Sequence, residues 1–147
     1  MKKQQMIGII ILGCFFMSGC FGPNAPQVCF DEVCLDVELA LTDAQQTQGL
    51  QYRESLKRDK GMLFVFGEPS QVAFWMKNTL ISLDIIWLDQ RKKIIYIEKN
   101  TPPCLQEKCP TYGPAESCRY VLEANAGWAD ANDISIGDRA EFNVMDK

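Results

Sequence analysis

A chain of 147 residues with 47% hydrophobic and 23% charged side chains has the size and composition of one ordinary domain with a real apolar core. It contains no histidine, which removes Ser-His-Asp and Cys-His catalysis and ordinary zinc sites and leaves any acid-base chemistry to Asp, Glu, Lys, Tyr or Cys. The formal charge of −4 excludes nucleic acid as an expected partner, because phosphate binding needs a cationic surface.

Residues 1–19 read as a leader rather than as part of the fold. Lys2 and Lys3 are followed by the apolar run Ile7 to Phe16 and by the small residues Ser18 and Gly19, the layout of a secretory signal. The run is too short to span a bilayer, which takes about 20 residues. Met17-Ser18-Gly19-Cys20 resembles the lipobox of prokaryotic lipoproteins. The resemblance implies that Cys20 is acylated, becomes the new N-terminus and anchors the protein by lipid on the extracytoplasmic face of a membrane in the cell envelope. Cleavage there leaves 13 basic against 19 acidic residues, a net charge of −6. Residues 20–29, with Gly22, Pro23 and Pro26, read as an irregular tether, and 30–147 as the folded domain, expected to be a monomer.

Leu35, Val37, Leu39 and Leu41 alternate with Asp36, Glu38 and Ala40, the period of a half-buried strand. Thr42-Asp43 offers an N-cap for a short helix over Ala44 to Tyr52. Arg53 to Lys60 reads as a solvated loop. Met62 to Phe66 is apolar on both faces and so reads as a central, doubly covered strand. Further strands are expected over 72–77 and 83–89, with a hairpin at Asp89-Gln90-Arg91-Lys92 leading into Lys93 to Glu98. The segment Asn100 to Glu116 carries four prolines and two cysteines and is too long for a plain connection. A strand at Tyr120 to Asn125, a helical turn within Ala126 to Asn132 and a last strand containing Ala140, Phe142 and Val144 complete the chain. The expected fold is therefore mainly β: a single-domain antiparallel β-sandwich or partly closed barrel of 7–8 strands with one or two short helices.

Besides Cys20, the mature chain keeps Cys29, Cys34, Cys104, Cys109 and Cys118. Outside the cytoplasm these are expected to be oxidised. Cys29 with Cys34 and Cys104 with Cys109 share a Cys-x-x-x-x-Cys spacing that suits a local staple, although spacing does not fix connectivity. Two disulfides and one odd cysteine are expected, with neither metal nor cofactor. Metal binding and a redox pair are the weaker readings, since a cysteine-only zinc site needs four reduced thiolates and the gap is wider than that of thioredoxin-type motifs.

The blocks Gly49-Leu50-x-x-Arg53, Gly61 to Phe66, Phe74-Trp75-Met76-Lys77-Asn78-Thr79, Leu83-Asp84-Ile85-Ile86, Tyr120 to Gly127 and Ile136-Gly137-Asp138 together resemble, in order, the domain of unknown function 192. The likeness runs from about Leu35 to Val144, with Gln51 where the family has Met and Ser82 where it has Pro before Leu-Asp. It implies a small β-rich protein, often secreted or lipid-anchored, with no established activity.

Charged and amide side chains inside apolar strands need partners, since an unpaired buried charge costs several kcal/mol. The candidate site is Arg53, Trp75, Lys77, Asn78, Asp84 and Glu123, with Arg53 and Lys77 expected to face Asp84 and Glu123 beneath an aromatic wall. The bland reading is a set of buried ion pairs and caps that hold strand register. The functional reading is a pocket for a small polar ligand or an envelope partner. One alternative is a hydrolase with Asp84 and Glu123 as acid and base. The other is an envelope protein with a structural role alone.

Overall fold

The computed structural model describes residues 25–143. The leader 1–19, Cys20, the tether as far as Asn24 and Val144 lie outside the described residues. Periodicity builds the first elements. β1 (Gln27–Phe30) and β2 (Val33–Ala40) form a hairpin around Asp31-Glu32, with Val28 and Phe30 buried against Leu35 and Val37. Strand pairing thus begins at Gln27, so residues 27–29 belong to the sheet and not to the tether. α1 (Asp43–Gln48) starts on a capping box in which Thr42 and Gln45 satisfy one another's backbone N–H groups. It ends earlier than the Tyr52 expected from composition, because Gly49 turns the chain at φ 47°.

β3 (Lys60–Ser70) is central, as its two-sided apolar run predicts, lying between β2 and β8 (Cys118–Asn125). β5 (Leu83–Leu88) is buried at all six positions and pairs with β8 and with β6 (Ile94–Thr101). The expected strand over 72–77 shrinks to β4 (Phe74–Trp75), which pairs with β7 (Thr111–Tyr112) from the long proline-rich segment. α2 (Trp128–Ala131) and β9 (Glu141–Asn143) close the described chain.

The seven-stranded sheet runs β6-β5-β8-β3-β2-β1-β9. Its neighbours are antiparallel except β2 and β3, which are parallel and joined by a crossover through α1. The sheet curls until its edges approach: Lys93 and Arg139 bridge, the Ile94 N–H donates to the Asp138 carbonyl (2.8 Å) and the Ala140 N–H to the Lys92 carbonyl (2.9 Å). Of the two expected architectures, the observed one is thus the partly closed barrel, with β4 and β7 as a separate two-stranded sheet.

The curl produces two cores. The inner one holds Leu35, Leu63, Ile86, Leu122 and Ala124 and is plugged by Trp128 and Ala129 of α2. The outer one, on the convex face, holds Met62, Phe64, Ile85, Trp87 and Val121 under Leu50, Met76 and Phe74. Disulfides join Cys29 to Cys34, opposite one another across the first hairpin, and Cys104 to Cys109. Cys118 is the odd cysteine, free and buried.

Where β3 passes β8 the two cores leave no spare volume. A methyl group on Gly61 would lie 2.5 Å from the Glu123 carbonyl and 2.6 Å from Leu35 Cδ2. Neither a paired strand nor a fully buried leucine can retreat cheaply. Gly61→Ala is expected to lower unfolding free energy by about 2 kcal/mol or more, read as a shift of the urea midpoint.

Candidate functional site

The alternation of β5 sends Asp84 and Ile85 to opposite faces, and the pairing with β8 places Asp84 beside Ala124 and Ile85 beside Glu123. Asp84 therefore points into the barrel and Glu123 away from it. The two carboxyl groups are separated by the sheet itself and cannot act as acid and base on one bond. The expected grouping of Arg53 and Lys77 with both carboxylates does not form.

Asp84 is fully buried, and its charge is met by backbone. Oδ1 accepts the N–H of Asn100 (2.8 Å) and of Gly127 (3.1 Å), and Oδ2 accepts that of Ala129 (2.9 Å). Gly127 is the N-cap of α2, adopts φ 80° and has no side chain to offer. Asp84 serves as the missing cap from across the barrel. Its role is structural.

Arg53 pairs with Glu38, donating from both terminal nitrogens to the two carboxylate oxygens at 2.5 and 2.8 Å. These bonds hold the Glu38 carboxyl below its ordinary range and raise Arg53. Lys60 similarly meets Asp36 at 2.5 Å. The polar side of β2, read from its alternation, thus faces outward and is used in ion pairs.

Glu123 is different. It is 5% exposed, and its Oε2 is enclosed without a hydrogen-bond partner among the described residues. Met62 and Ile85 flank it on the neighbouring strands. Burial pushes its carboxyl up to about 8, against a small opposing effect of the Arg53 charge. It is thus a neutral acid at pH 7, able to donate one hydrogen bond and accept others.

Glu123 forms the floor of a small pocket of about 30 Å³, which Thr79 also lines. That pocket shares Gln46, Thr47, Phe74 and Trp75 with a more open cleft of about 330 Å³, whose wall is completed by Phe66 and Val72. The outer volume falls in the range of small-molecule sites, about 300–1,000 Å³. The inner one has room for about two water-sized groups. Trp75 is 50% exposed, whereas Trp87 and Trp128 are core residues.

The wall carrying Trp75 is held by backbone. Asn78 adopts φ 57°, its N–H donates to the Cys104 carbonyl (3.0 Å), and the Cys104 N–H returns to Met76 (3.2 Å). Asn78 Nδ2 donates to the Tyr52 hydroxyl (2.8 Å), and the Tyr52 N–H donates to the Asn78 carbonyl (2.9 Å). Lys77 lies with Nζ 5.8 Å from the Trp75 ring centre and 3.4 Å from the Glu107 carbonyl. Asn78 is therefore a positioning residue and Lys77 a rim residue.

Of the six candidates, the structure brings Trp75 and Glu123 to one cleft, with Asn78 and Lys77 on the wall behind. It leaves Arg53 in its own ion pair and sends Asp84 to the opposite face. Gln46, Thr47 and Phe74 were not expected to line a site. The amide-rich run from Gln45 to Gln48 was the signal available, and it was legible only as a helix former. Among the described residues, no cluster of three or more Cys, Asp and Glu side chains is placed to hold a metal ion.

The two carboxyl groups predict opposite behaviour. Asp84→Ala leaves the buried N–H of Ala129 and the part-buried N–H groups of Asn100 and Gly127 without their acceptor and should cost about 3 kcal/mol in chemical denaturation. Glu123 binds its proton more tightly in the folded chain than in the unfolded one. The stability this contributes is fully present below about pH 4.5 and is lost as pH rises through about 8. The loss should be on the order of 5 kcal/mol, and Glu123→Gln should flatten it in urea titrations across that range.

Comparison with known proteins agrees with this architecture. A structure of a "putative transcription regulator" from Sinorhizobium meliloti 1021 is 36% identical, superposes with a TM-score of 0.72 and covers 82% of this chain and 98% of that one. A protein of unknown function from Novosphingobium aromaticivorans is 33% identical with a TM-score of 0.71, over 79% of this chain and 82% of its own. A UPF0127 protein of Thermococcus gammatolerans is 26% identical over 113 residues, 76% of this chain and 69% of that protein. The model of DUF192, described as an uncharacterized ACR, matches residues 27–142, and the chain belongs to that family.

Proposed function

We propose that this protein is a binding module, tethered at the cell envelope, that holds a small ligand in the Trp75–Glu123 cleft without turning it over. One observation carries the reading. A carboxyl group that is buried, neutral and unpartnered sits at the floor of a cleft whose wall is a half-exposed tryptophan. A protein pays for such a group unless something completes its hydrogen bonds. Catalysis is disfavoured because, among the described residues, Met62 and Ile85 flank Glu123 on the neighbouring strands and Glu38, one strand further on the same face, is taken by Arg53. The Sinorhizobium protein is described as a transcription regulator; direct binding of nucleic acid by this chain is disfavoured by its acidic balance and by the engagement of Arg53, Lys60 and Lys99 with carboxylates.

The envelope address rests on the leader and on Met17-Ser18-Gly19-Cys20. The two local disulfides are consistent with an oxidising compartment. Growth with a radiolabelled fatty acid should give labelled, membrane-associated protein, and Cys20→Ser should abolish both label and association. An unlabelled wild-type protein in the soluble fraction would remove the address.

For the cleft, a thermal-shift screen of sugars and small carboxylic acids should find ligands that raise the melting temperature of the wild type but not of Trp75→Ala. Because Trp75 is exposed, its loss should cost less than about 1 kcal/mol of stability. Ligands that stabilise Trp75→Ala equally, or no ligand at all, would count against this site.

A further inference from the structure

We infer that the cleft takes a neutral, hydroxylated ring, which lies against Trp75 in the outer volume while one hydroxyl-bearing arm enters the inner pocket to meet Thr79 and Glu123. The inference rests on the cleft being a ligand site, and it names the ligand's chemistry. The two volumes suit it in different ways. The outer cleft, about 330 Å³, is walled by Phe66, Val72, Phe74 and Trp75, flat apolar surfaces that receive the face of a ring. The inner pocket, about 30 Å³, admits a hydroxyl or hydroxymethyl group and nothing larger.

Charge narrows the class further. The polar side chains around the inner pocket are Gln46, Thr47, Gln48, Gln51, Thr79 and Glu123, all but the last without charge. The charged groups on neighbouring elements are already engaged or stand at the rim. Arg53, after α1, is bound by Glu38 of β2, and Lys60 of β3 by Asp36. Lys77 reaches the Glu107 carbonyl, Asp43 lines the open cleft at the start of α1, and β5 presents Ile85. Tyr52, on the same wall, accepts from Asn78, Tyr112 of β7 stands beside Phe74, and the Cys118 thiol is buried beneath them. An ammonium group in the inner pocket would have to ionise a carboxyl that burial keeps protonated, and a carboxylate would find no free cation. Desolvating either charge costs several kcal/mol. A hydroxyl can give one hydrogen bond and take another, which matches a protonated carboxyl and the Thr79 hydroxyl.

The test compares ligands of one skeleton. Full-length protein in detergent is titrated with a panel of neutral methyl hexosides and disaccharides, and with glucosamine and glucuronate, following tryptophan fluorescence. Trp75 is the half-exposed indole, so its signal reports the cleft. A neutral sugar should bind at pH 7 more tightly than both charged relatives, and Trp75→Ala should lose the signal. Affinity should be level up to about pH 7 and fall about tenfold per unit above about 8, as Glu123 loses the proton it donates. Glu123→Gln, which keeps a neutral donor and acceptor, should flatten that profile, and Glu123→Leu should weaken binding at least tenfold at pH 7.

Tighter binding of glucosamine, with affinity rising with pH and lost in Glu123→Gln, would overturn the neutral-ring inference and leave the cleft a ligand site. Preferred binding of glucuronate that depends on Trp75 would do the same. Binding by none of the panel would overturn the inference. If Trp75→Ala also leaves every thermal-shift ligand unaffected, the cleft itself is not the site.

Discussion

The structure depends most on the three backbone N–H groups gathered by the Asp84 carboxylate. A strand buried at every position ordinarily has no place for an ionised side chain. Here the charge is spread over Asn100 at the end of β6 and over Gly127 and Ala129 at the start of α2. One side chain thereby joins β5, the edge strand β6 and the helix that plugs the barrel. α2 has four residues and no cap of its own, too short to persist without such support. Trp128 and Ala129, which fill the inner core, are in place because that helix is.

The curl follows from closing the barrel on one side, and it separates the labour of the two faces. The concave side is apolar apart from Asp84 and carries the packing. The convex side of β2, β3 and β8 carries Asp36, Glu38, Lys60 and Glu123, of which the first three are paired near solvent. Such exposed pairs contribute little to stability. Glu123 lies deeper, under the layer formed by Leu50, Met76 and Phe74, and only the small inner pocket reaches it. The same alternation of side chains that makes Asp84 a structural acid makes Glu123 the floor of a cleft.

Much of this was legible in the residues. The alternation of Leu35 to Leu41, the two-sided apolar run at Met62 and the six residues from Leu83 gave strands in their observed places, and the two Cys-x-x-x-x-Cys spacings suited the pairs observed without fixing them. β1 was not legible, since Val28-Cys29-Phe30 is a short run behind Pro23 and Pro26, and only its pairing with β2 and β9 makes it a strand. The parallel pairing of β2 with β3 was not legible where an antiparallel fold was expected: the crossover between them is made by six helical residues and a loop, too short to stand out as a connecting helix. The candidate site failed in a particular way. Sequence can say that Asp84 and Glu123 are each out of place in an apolar strand, but which face each takes depends on the register between β5 and β8, a tertiary quantity that no local pattern carries.

The small loop closed by Cys104 and Cys109 has a bearing on when the cleft comes into being. Cys104 supplies both the carbonyl that receives the Asn78 N–H and the N–H that returns to Met76, so the Trp75 wall leans on a segment fixed by a covalent link. With Cys104 and Cys109 reduced, that segment loses its covalent link and the Trp75 wall is held by hydrogen bonds alone. On the proposal that the cleft holds a ligand, oxidation of this one pair would order its wall and so tie capture to maturation.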